Sequence, residues 1–106
     1  MKLIYISGKI TDETRAKELA NMARFNEMEK KLRRAGHTVF NPASIETPGW
    51  TWEMYLARDL HYLVTHRPMM YFMQGWQDSR GARLEFEFAK LLGLVLIFEE
   101  FQCHTS

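Results

Sequence analysis

The chain has 106 residues, 46% of them hydrophobic and 25% charged, which is typical of one globular domain spanning residues 1–106. Its 14 Lys and Arg residues nearly balance 13 Asp and Glu residues, so the formal charge of +1 argues against a nucleic-acid polymer or a membrane surface as partner. The single Cys103 excludes an internal disulfide and no Cys/His set has metal-ligand spacing, which predicts a cytoplasmic protein without a metal or other cofactor.

The N-terminal third of the chain predicts one strand followed by one long helix. Leu3-Ile4-Tyr5-Ile6 is an apolar run ended by Ser7-Gly8, as in a buried central strand, and is far too short to span a membrane. Thr11-Asp12-Glu13-Thr14 supplies capping chemistry for a helix. The run from Arg33 to Gly36 closes that helix, because basic residues and glycine favour a helix C-terminus.

The rest of the chain continues the alternation of strands and helices. The apolar patterns predict a strand at residues 38–40, a helix at 52–64, a strand at 69–73, a helix from 79 to 93 and a strand at 94–98. Such alternation implies parallel pairing through right-handed crossovers. We therefore predict an α/β fold, a three-layer Rossmann-like (flavodoxin-like) sandwich with a parallel sheet of four or five strands.

Ligands of such open sheets bind beyond the carboxyl ends of the strands. One of these ends is Tyr5-Ile6-Ser7-Gly8-Lys9-Ile10, where glycine permits close approach to the backbone and exposed N–H groups can bind an anion. The alternative is an ordinary turn after a strand, since Ser and Gly are common turn residues. A second polar strand end is Asn41-Pro42-Ala43.

The pattern Ser79-x-Gly81-Ala82-x-x-Glu85 lies at the third strand-to-helix junction. Ser79 can cap the helix, and Gly81 leaves room for a phosphate at the open N–H groups of the first turn. Glu85, one to two turns further in, can point back toward the same crevice. Alternatively, Ser79 is only a cap and Glu85 only an acid that favours the helix dipole.

Asp59 and three tryptophans complete the set of candidate residues. Asp59 lies between apolar neighbours and is either on the solvated side of its helix or the partner of Glu85, because glycosidic cleavage needs two acids in unequal environments. Trp50, Trp52 and Trp76 can stack on a nucleobase or belong to the core or an oligomer interface.

Taken together, these motifs resemble the nucleoside 2-deoxyribosyltransferase-like superfamily, in particular its short DUF4406 branch of phage and bacterial proteins, over nearly the whole chain. The markers are Tyr5-Ile6-Ser7-Gly8, Asn41-Pro42-Ala43, residues 55–60 with Arg58-Asp59-Leu60, Gly75-Trp76-x-x-Ser79-x-Gly81-Ala82-x-x-Glu85, and Ala89. Where relatives commonly carry Cys-Asp before the third strand, this chain has Arg67-Pro68.

The resemblance implies a mechanism. The residue that matches Glu85 attacks the anomeric carbon as an ionised carboxylate and forms a covalent glycosyl-enzyme, while the residue that matches Asp59 assists and Tyr5 orients Glu85 or the sugar. Free-nucleoside transferases tend to place an acid at position 79, whereas monophosphate hydrolases place a serine, as here. The remaining expected substrate-binding residues are Ser7, Gly8, Lys9, Asn41, Trp76, Ser79 and Gly81.

We therefore expect an N-glycosidase that hydrolyses a (deoxy)nucleoside 5′-monophosphate. The alternatives are base exchange by a deoxyribosyltransferase and a nucleotide-binding protein without turnover. A domain of this size buries little surface, so we also expect a homodimer or a higher homo-oligomer.

Overall fold

The computed structural model describes residues 2–99; Cys103 lies outside them. Within that range the elements follow one another as β1 (Leu3–Ser7), α1 (Arg15–Arg34), β2 (Thr38–Phe40), α2 (Trp52–His66), β3 (Met69–Phe72), α3 (Arg80–Leu92) and β4 (Leu96–Phe98). Two short 3₁₀ turns, Pro42–Ser44 and Trp76–Asp78, follow β2 and β3.

The four strands form one parallel sheet in the order β2-β1-β3-β4. In its register Tyr5 is opposite Phe40 on one side and Met70 on the other, so β1 is a central strand. This confirms the predicted α/β three-layer sandwich, with four strands in the part of the chain that the structure describes. The strand order reverses between β1 and β3, which is where open sheets of this kind place their ligands.

Each face of the sheet has its own apolar core. On one face α1 packs Phe25 and Met28 against Ile6 and Val39. On the other face α2 and α3 cover the sheet, in a cluster that contains Tyr5, Leu63, Met70, Phe72 and Ala89. Side chains of β1 alternate between these faces, as the two-residue period of a strand requires, so Tyr5 and Ser7 point toward α2 and α3.

The element boundaries differ slightly from the sequence-based predictions. The cap of α1 is the last residue of the predicted capping run, since the Thr14 hydroxyl accepts from Lys17 N at 3.1 Å. The fourth strand begins two residues later than predicted, because Leu94 N donates to Ala89 O and closes the turn after α3. Among the helices of residues 2–99, none combines the length and apolar character needed to cross a membrane.

Arg67 ends α2. Its backbone is left-handed, with φ of 47°, and its guanidinium donates to Leu92 O at the end of α3. Arg67 therefore joins the C-terminal ends of α2 and α3, on the far side of the fold from the carboxyl ends of the strands.

Candidate functional site

A pocket of about 580 Å³ opens beside the carboxyl end of β1. Its walls are the Ser7-Gly8 strand end, parts of α1 and α2, the loop of residues 42–50 and the N-terminal turns of α3. Its volume is that of a typical small-molecule site, for which about 300–1,000 Å³ is usual. The pocket therefore lies at the predicted edge of the sheet, beside the strand where the strand order reverses.

Glu85 is the most deeply held acid of the pocket, with only 6% of its surface exposed. The Tyr5 hydroxyl donates to its Oε2 at 2.8 Å, and the Ser7 hydroxyl donates to its Oε1 at 2.6 Å. Ala82 and Ala89 are buried on the same side of α3, three residues before and four residues after Glu85. Their small side chains let α3 approach the sheet closely enough for Glu85 to reach β1.

Asp59 reaches the same point from α2. Its carboxyl lies close enough to the Glu85 carboxyl and the Tyr5 hydroxyl to raise the pKa of both, and 8% of the residue is exposed. On its other side the Arg58 Nε and Nη2 donate to Asp59 Oδ1 at 2.9 and 2.8 Å. The structure thus brings Tyr5, Asp59 and Glu85, the three predicted catalytic residues, into one hydrogen-bonded cluster.

The two carboxyls perturb each other. Burial, followed by the nearby charge of Asp59, raises the pKa of Glu85 to about 8, although the hydrogen bonds from Ser7 and Tyr5 act to lower it. Burial also raises the pKa of Asp59, against the pull of Arg58. Burial and the two acids raise the pKa of Tyr5 well above its usual value, so its hydroxyl stays a donor. The sequence suggested an ionised Glu85, but in the free protein this desolvated acid holds a proton at neutral pH.

The N-terminus of α3 forms another wall of the pocket. The Ser79 hydroxyl accepts from Ala82 N at 3.2 Å, so the predicted helix cap is present. Ser79 and Gly81 both line the pocket, and a Cβ at Gly81 would lie 3.8 Å from the indole nitrogen of Trp52. The cap leaves other first-turn N–H groups open, as an anion site at a helix N-terminus requires.

Ser7 and Gly8 line the pocket, but each also has a local structural role. Ser7 is 1% exposed, and its hydroxyl donates to Glu85. This hydroxyl is therefore poorly placed to hold a phosphate. A Cβ at Gly8 would lie 3.2 Å from the Phe25 ring and from the Met73 Cβ, tighter than side chains normally pack. Close packing of α1 on the sheet therefore accounts for this glycine.

The structure places Lys9, Asn41 and Trp76 outside the pocket lining. Lys9 pairs with Asp12 at 3.8 Å. The Trp76 ring packs between Phe72 and Phe86, with centroids 5.0 and 4.8 Å away, so this tryptophan belongs to the core, the second of its two predicted roles.

Asn41 has a supporting position behind the pocket wall. Its amide donates to Asn26 Oδ1 and Glu29 Oε1 at 2.9 and 3.0 Å, and its Oδ1 accepts from Ala43 N at 2.9 Å. These bonds hold the 3₁₀ turn Pro42–Ser44, two residues of which line the pocket. A direct contact between Asn41 and a substrate is therefore not supported by the geometry.

Several pocket residues were not singled out as site residues from the sequence. Trp50, Trp52 and Tyr55 form an aromatic wall; for the two tryptophans the sequence left open base stacking and a place in the core or an oligomer interface. A role for Arg58 in the site was not predicted from the sequence, since an arginine beside an aspartate on a helix is an ordinary surface pattern. Arg15 at the rim pairs with Glu46 at 3.1 Å, a contact across 31 residues that no local pattern indicates.

Within residues 2–99, no three His, Cys, Asp or Glu side chains converge in a way that could hold a metal ion. The chemistry available in this part of the chain is that of two buried carboxyls, a tyrosine hydroxyl and an anion-binding helix end.

Comparison with curated proteins finds no match for the chain. The family model described as "Domain of unknown function (DUF4406)" matches residues 2–98. This match covers the four strands, the three helices and every residue of the pocket, and the chain belongs to the DUF4406 family.

Proposed function

We propose that the protein cleaves the N-glycosidic bond of a (deoxy)nucleoside 5′-monophosphate, with Glu85 as nucleophile and Asp59 as proton carrier. The observation that carries this proposal is the buried Asp59–Glu85 pair, held by Tyr5 and Ser7 at the wall of a pocket that also has aromatic side chains. Two acids in unequal environments are what such a cleavage needs.

The closeness of the two carboxyls favours a covalent route. An inverting glycosidase keeps its acids about 6.5–9.5 Å apart so that a water molecule fits between them, and a retaining one about 5–5.5 Å apart. Here the Asp59 and Glu85 carboxyls lie close enough for each to shift the pKa of the other. This closeness favours attack by one carboxylate with the other as its proton partner.

The proposed steps pass two protons through Asp59, one after the other. The proton of Glu85 passes to Asp59, the Glu85 carboxylate attacks C1′, and the C1′–N bond breaks with its electron pair leaving on the base. Asp59 gives the proton to that base. Asp59 then takes a proton from water as the hydroxide adds to C1′ and the ester bond to Glu85 breaks. The free sugar phosphate leaves, and the proton passes from Asp59 to Glu85, which restores the starting state.

The charges around the pocket favour one position for the phosphate. Both arginines that line it already pair with acids, Arg15 with Glu46 and Arg58 with Asp59. The N-terminus of α3 with Ser79 and Gly81 is therefore the element best suited to an anion. The base would then stack near Trp50 and Trp52, whose rings offer a face to any nucleobase.

The test is to incubate the protein with a panel of nucleoside and deoxynucleoside 5′-monophosphates and to measure free base by chromatography. Glu85→Gln should abolish release, while Glu87→Gln, two residues further along the same helix and exposed, should not change it. Release that persists in Glu85→Gln, or no release from any nucleotide, would refute the proposed activity.

A second candidate, nucleotide binding without turnover, is favoured by the protonated state of Glu85, because a neutral carboxyl is a poor nucleophile. Calorimetric titration separates the two. Binding that persists in Glu85→Gln, with no base released by either form, would support the second candidate.

The expected self-association is supported by one face of α3. Leu84, Phe88 and Leu91 recur there at i, i+4 and i+7, and Leu91 is 84% exposed. We propose that this stripe pairs with a second copy of the chain. Sedimentation analysis should show a dimer that Leu91→Glu dissociates; a monomeric wild-type protein would refute the pairing.

A further inference from the structure

Arg58 makes an ion pair that helix geometry does not ordinarily provide. Neighbouring residues on a helix point in directions about 100° apart and do not face each other. Yet the Arg58 guanidinium bends back so that Nε and Nη2 both donate to one oxygen, Oδ1, of Asp59. A separate set of contacts must hold the arginine in this position.

Three aromatic rings supply those contacts. The Arg58 guanidinium carbon lies 5.5 Å from the centroid of the Tyr55 ring, 5.8 Å from that of Phe40 and 6.0 Å from that of Trp50. These distances are within the range of cation–π attraction. The rings come from α2, β2 and the loop of residues 42–50, so three parts of the fold converge on this side chain.

A purely stabilising role explains this arrangement poorly. The third guanidinium nitrogen, Nη1, is buried and has no hydrogen-bond partner in the described part of the chain. A buried donor without a partner costs about 1–3 kcal/mol, and a buried ion pair is often no more stabilising than apolar residues of the same volume. The guanidinium directs all its observed hydrogen bonds to Asp59 and none elsewhere.

We propose that Arg58 is a positioning residue which keeps Asp59 ionised and thereby assigns to Glu85 the proton that the two carboxyls share. Placement of this proton is a property of the free protein, whereas its effect on base release rests on the proposed function. With Arg58 in place, the resting pair is Asp59 carboxylate and Glu85 acid.

Within the part of the chain that the structure describes, the other charged or titratable groups near the pair do not offer a second cation in contact with it. Tyr5 of β1 donates to Glu85, and the ring of Tyr62 of α2 lies tilted against that of Tyr5, with centroids 6.1 Å apart. Across the pocket α1 presents Arg15 and Glu18, which pair with each other at 3.5 Å, and the loop presents Glu46. Arg58 is therefore the cation whose removal should change the protonation of the pair.

The experiment is a ¹³C NMR titration of the Asp59 and Glu85 carboxyl groups in the protein without ligand. In the wild type at pH 6 we expect the Glu85 carboxyl to show the protonated chemical shift and Asp59 the ionised one. In Arg58→Met, which retains an apolar stem among the rings, the first proton loss of the pair should move to higher pH by about one to three pH units.

Two further variants control the result. Arg58→Lys keeps a cation but cannot donate two bonds in a plane, so its titration should fall between those of the wild type and Arg58→Met. Arg34→Gln removes an exposed arginine at the far end of α1 and should leave the titration of the pair unchanged.

Base release gives a second readout. The acid limb of the pH profile of kcat/KM should move to higher pH in Arg58→Met by the same amount as the NMR titration. An unchanged titration in Arg58→Met, or a wild-type proton on Asp59 instead of Glu85, would overturn the assignment of Arg58, and the wild-type measurement needs no variant to fold. A shifted titration with no base released from any nucleotide would support Arg58 and refute the proposed function.

Discussion

Replacing Glu85 by glutamine should make the stability of the protein less sensitive to pH. Glutamine has nearly the shape of a protonated glutamic acid but cannot ionise. In the wild type each carboxyl oxygen of Glu85 accepts one hydrogen bond, one from Tyr5 and one from Ser7. In glutamine an amide nitrogen, which cannot accept, replaces one of these oxygens, so one buried donor loses its partner. At pH 5, where Glu85 is protonated in the folded protein, the variant should therefore be less stable by about 1–3 kcal/mol.

The order should reverse as the pH rises. The pKa of Glu85 is raised from 4.5 to about 8 by folding. Between these values the unfolded chain has lost a proton that the folded protein still holds, so the wild type loses about 1.4 kcal/mol of stability per pH unit. The loss approaches roughly 4–5 kcal/mol by pH 8, and the variant escapes it because it has no proton to lose. Glu85→Gln should therefore be the more stable protein at pH 8.

Urea unfolding at pH 5, 6, 7 and 8 measures this crossing directly. The control is Glu87→Gln, because Glu87 lies on the same helix with a side chain that is 66% exposed and 3.7 Å from Lys90. Its stability should follow the wild type across the pH range. Parallel curves for the wild type and Glu85→Gln would show that Glu85 ionises normally in the folded protein, and the account of a proton-sharing pair would fail.

Three further variants test separate parts of the site. Tyr5→Phe removes a donor to Glu85 and should lower the steady-state rate of base release by about 10- to 100-fold, which is the effect of losing one hydrogen bond to a charged group. Unchanged rates would exclude the orienting role of Tyr5. Ser79→Asp keeps a helix cap but adds a negative charge. The turnover rate of a nucleoside 5′-monophosphate should therefore fall at least about tenfold relative to that of the free nucleoside. An equal effect on both substrates would exclude binding of the phosphate at this position. Trp76→Ala should destabilise the protein by about 3–5 kcal/mol in urea unfolding. Its nucleotide affinity, measured at a temperature where the variant is folded, should stay unchanged; weaker binding would show that Trp76 contributes to the site.

The fold could be predicted from the sequence because its signals are local and repeated. The apolar strands at residues 3–6 and 69–73 and the capped helices between them fix the alternation, and alternation fixes parallel pairing. The convergence of Tyr5, Asp59 and Glu85 also followed, since strand ends and helix starts of a parallel sheet meet at one edge. What made these predictions possible is the regularity of the architecture.

The positions of Asn41 and Trp76 outside the pocket could not be predicted from the sequence, for a different reason. Asn41 and Trp76 follow strands just as Ser7 does, and spacing alone cannot distinguish a side chain that faces the pocket from one that faces the core. The direction is decided by packing: Trp76 finds Phe72 and Phe86, and Asn41 finds hydrogen-bond partners on α1. The part played by Arg58 depends on rings contributed by three separate segments, which no local pattern contains.

The balance of charge in the cluster bears on why an N-glycosidic bond suits this site. Two buried acids lie close together, and among residues 2–99 the cation that contacts them is Arg58. In the free protein a proton on Glu85 supplies the missing positive charge. In the transition state of glycosidic cleavage positive charge develops at C1′, so the sugar itself can replace that proton and leave it free for the departing base. An ionised Glu85 is costly without substrate and stabilised beside an oxocarbenium-like carbon, and this difference between the two states is what lowers a barrier.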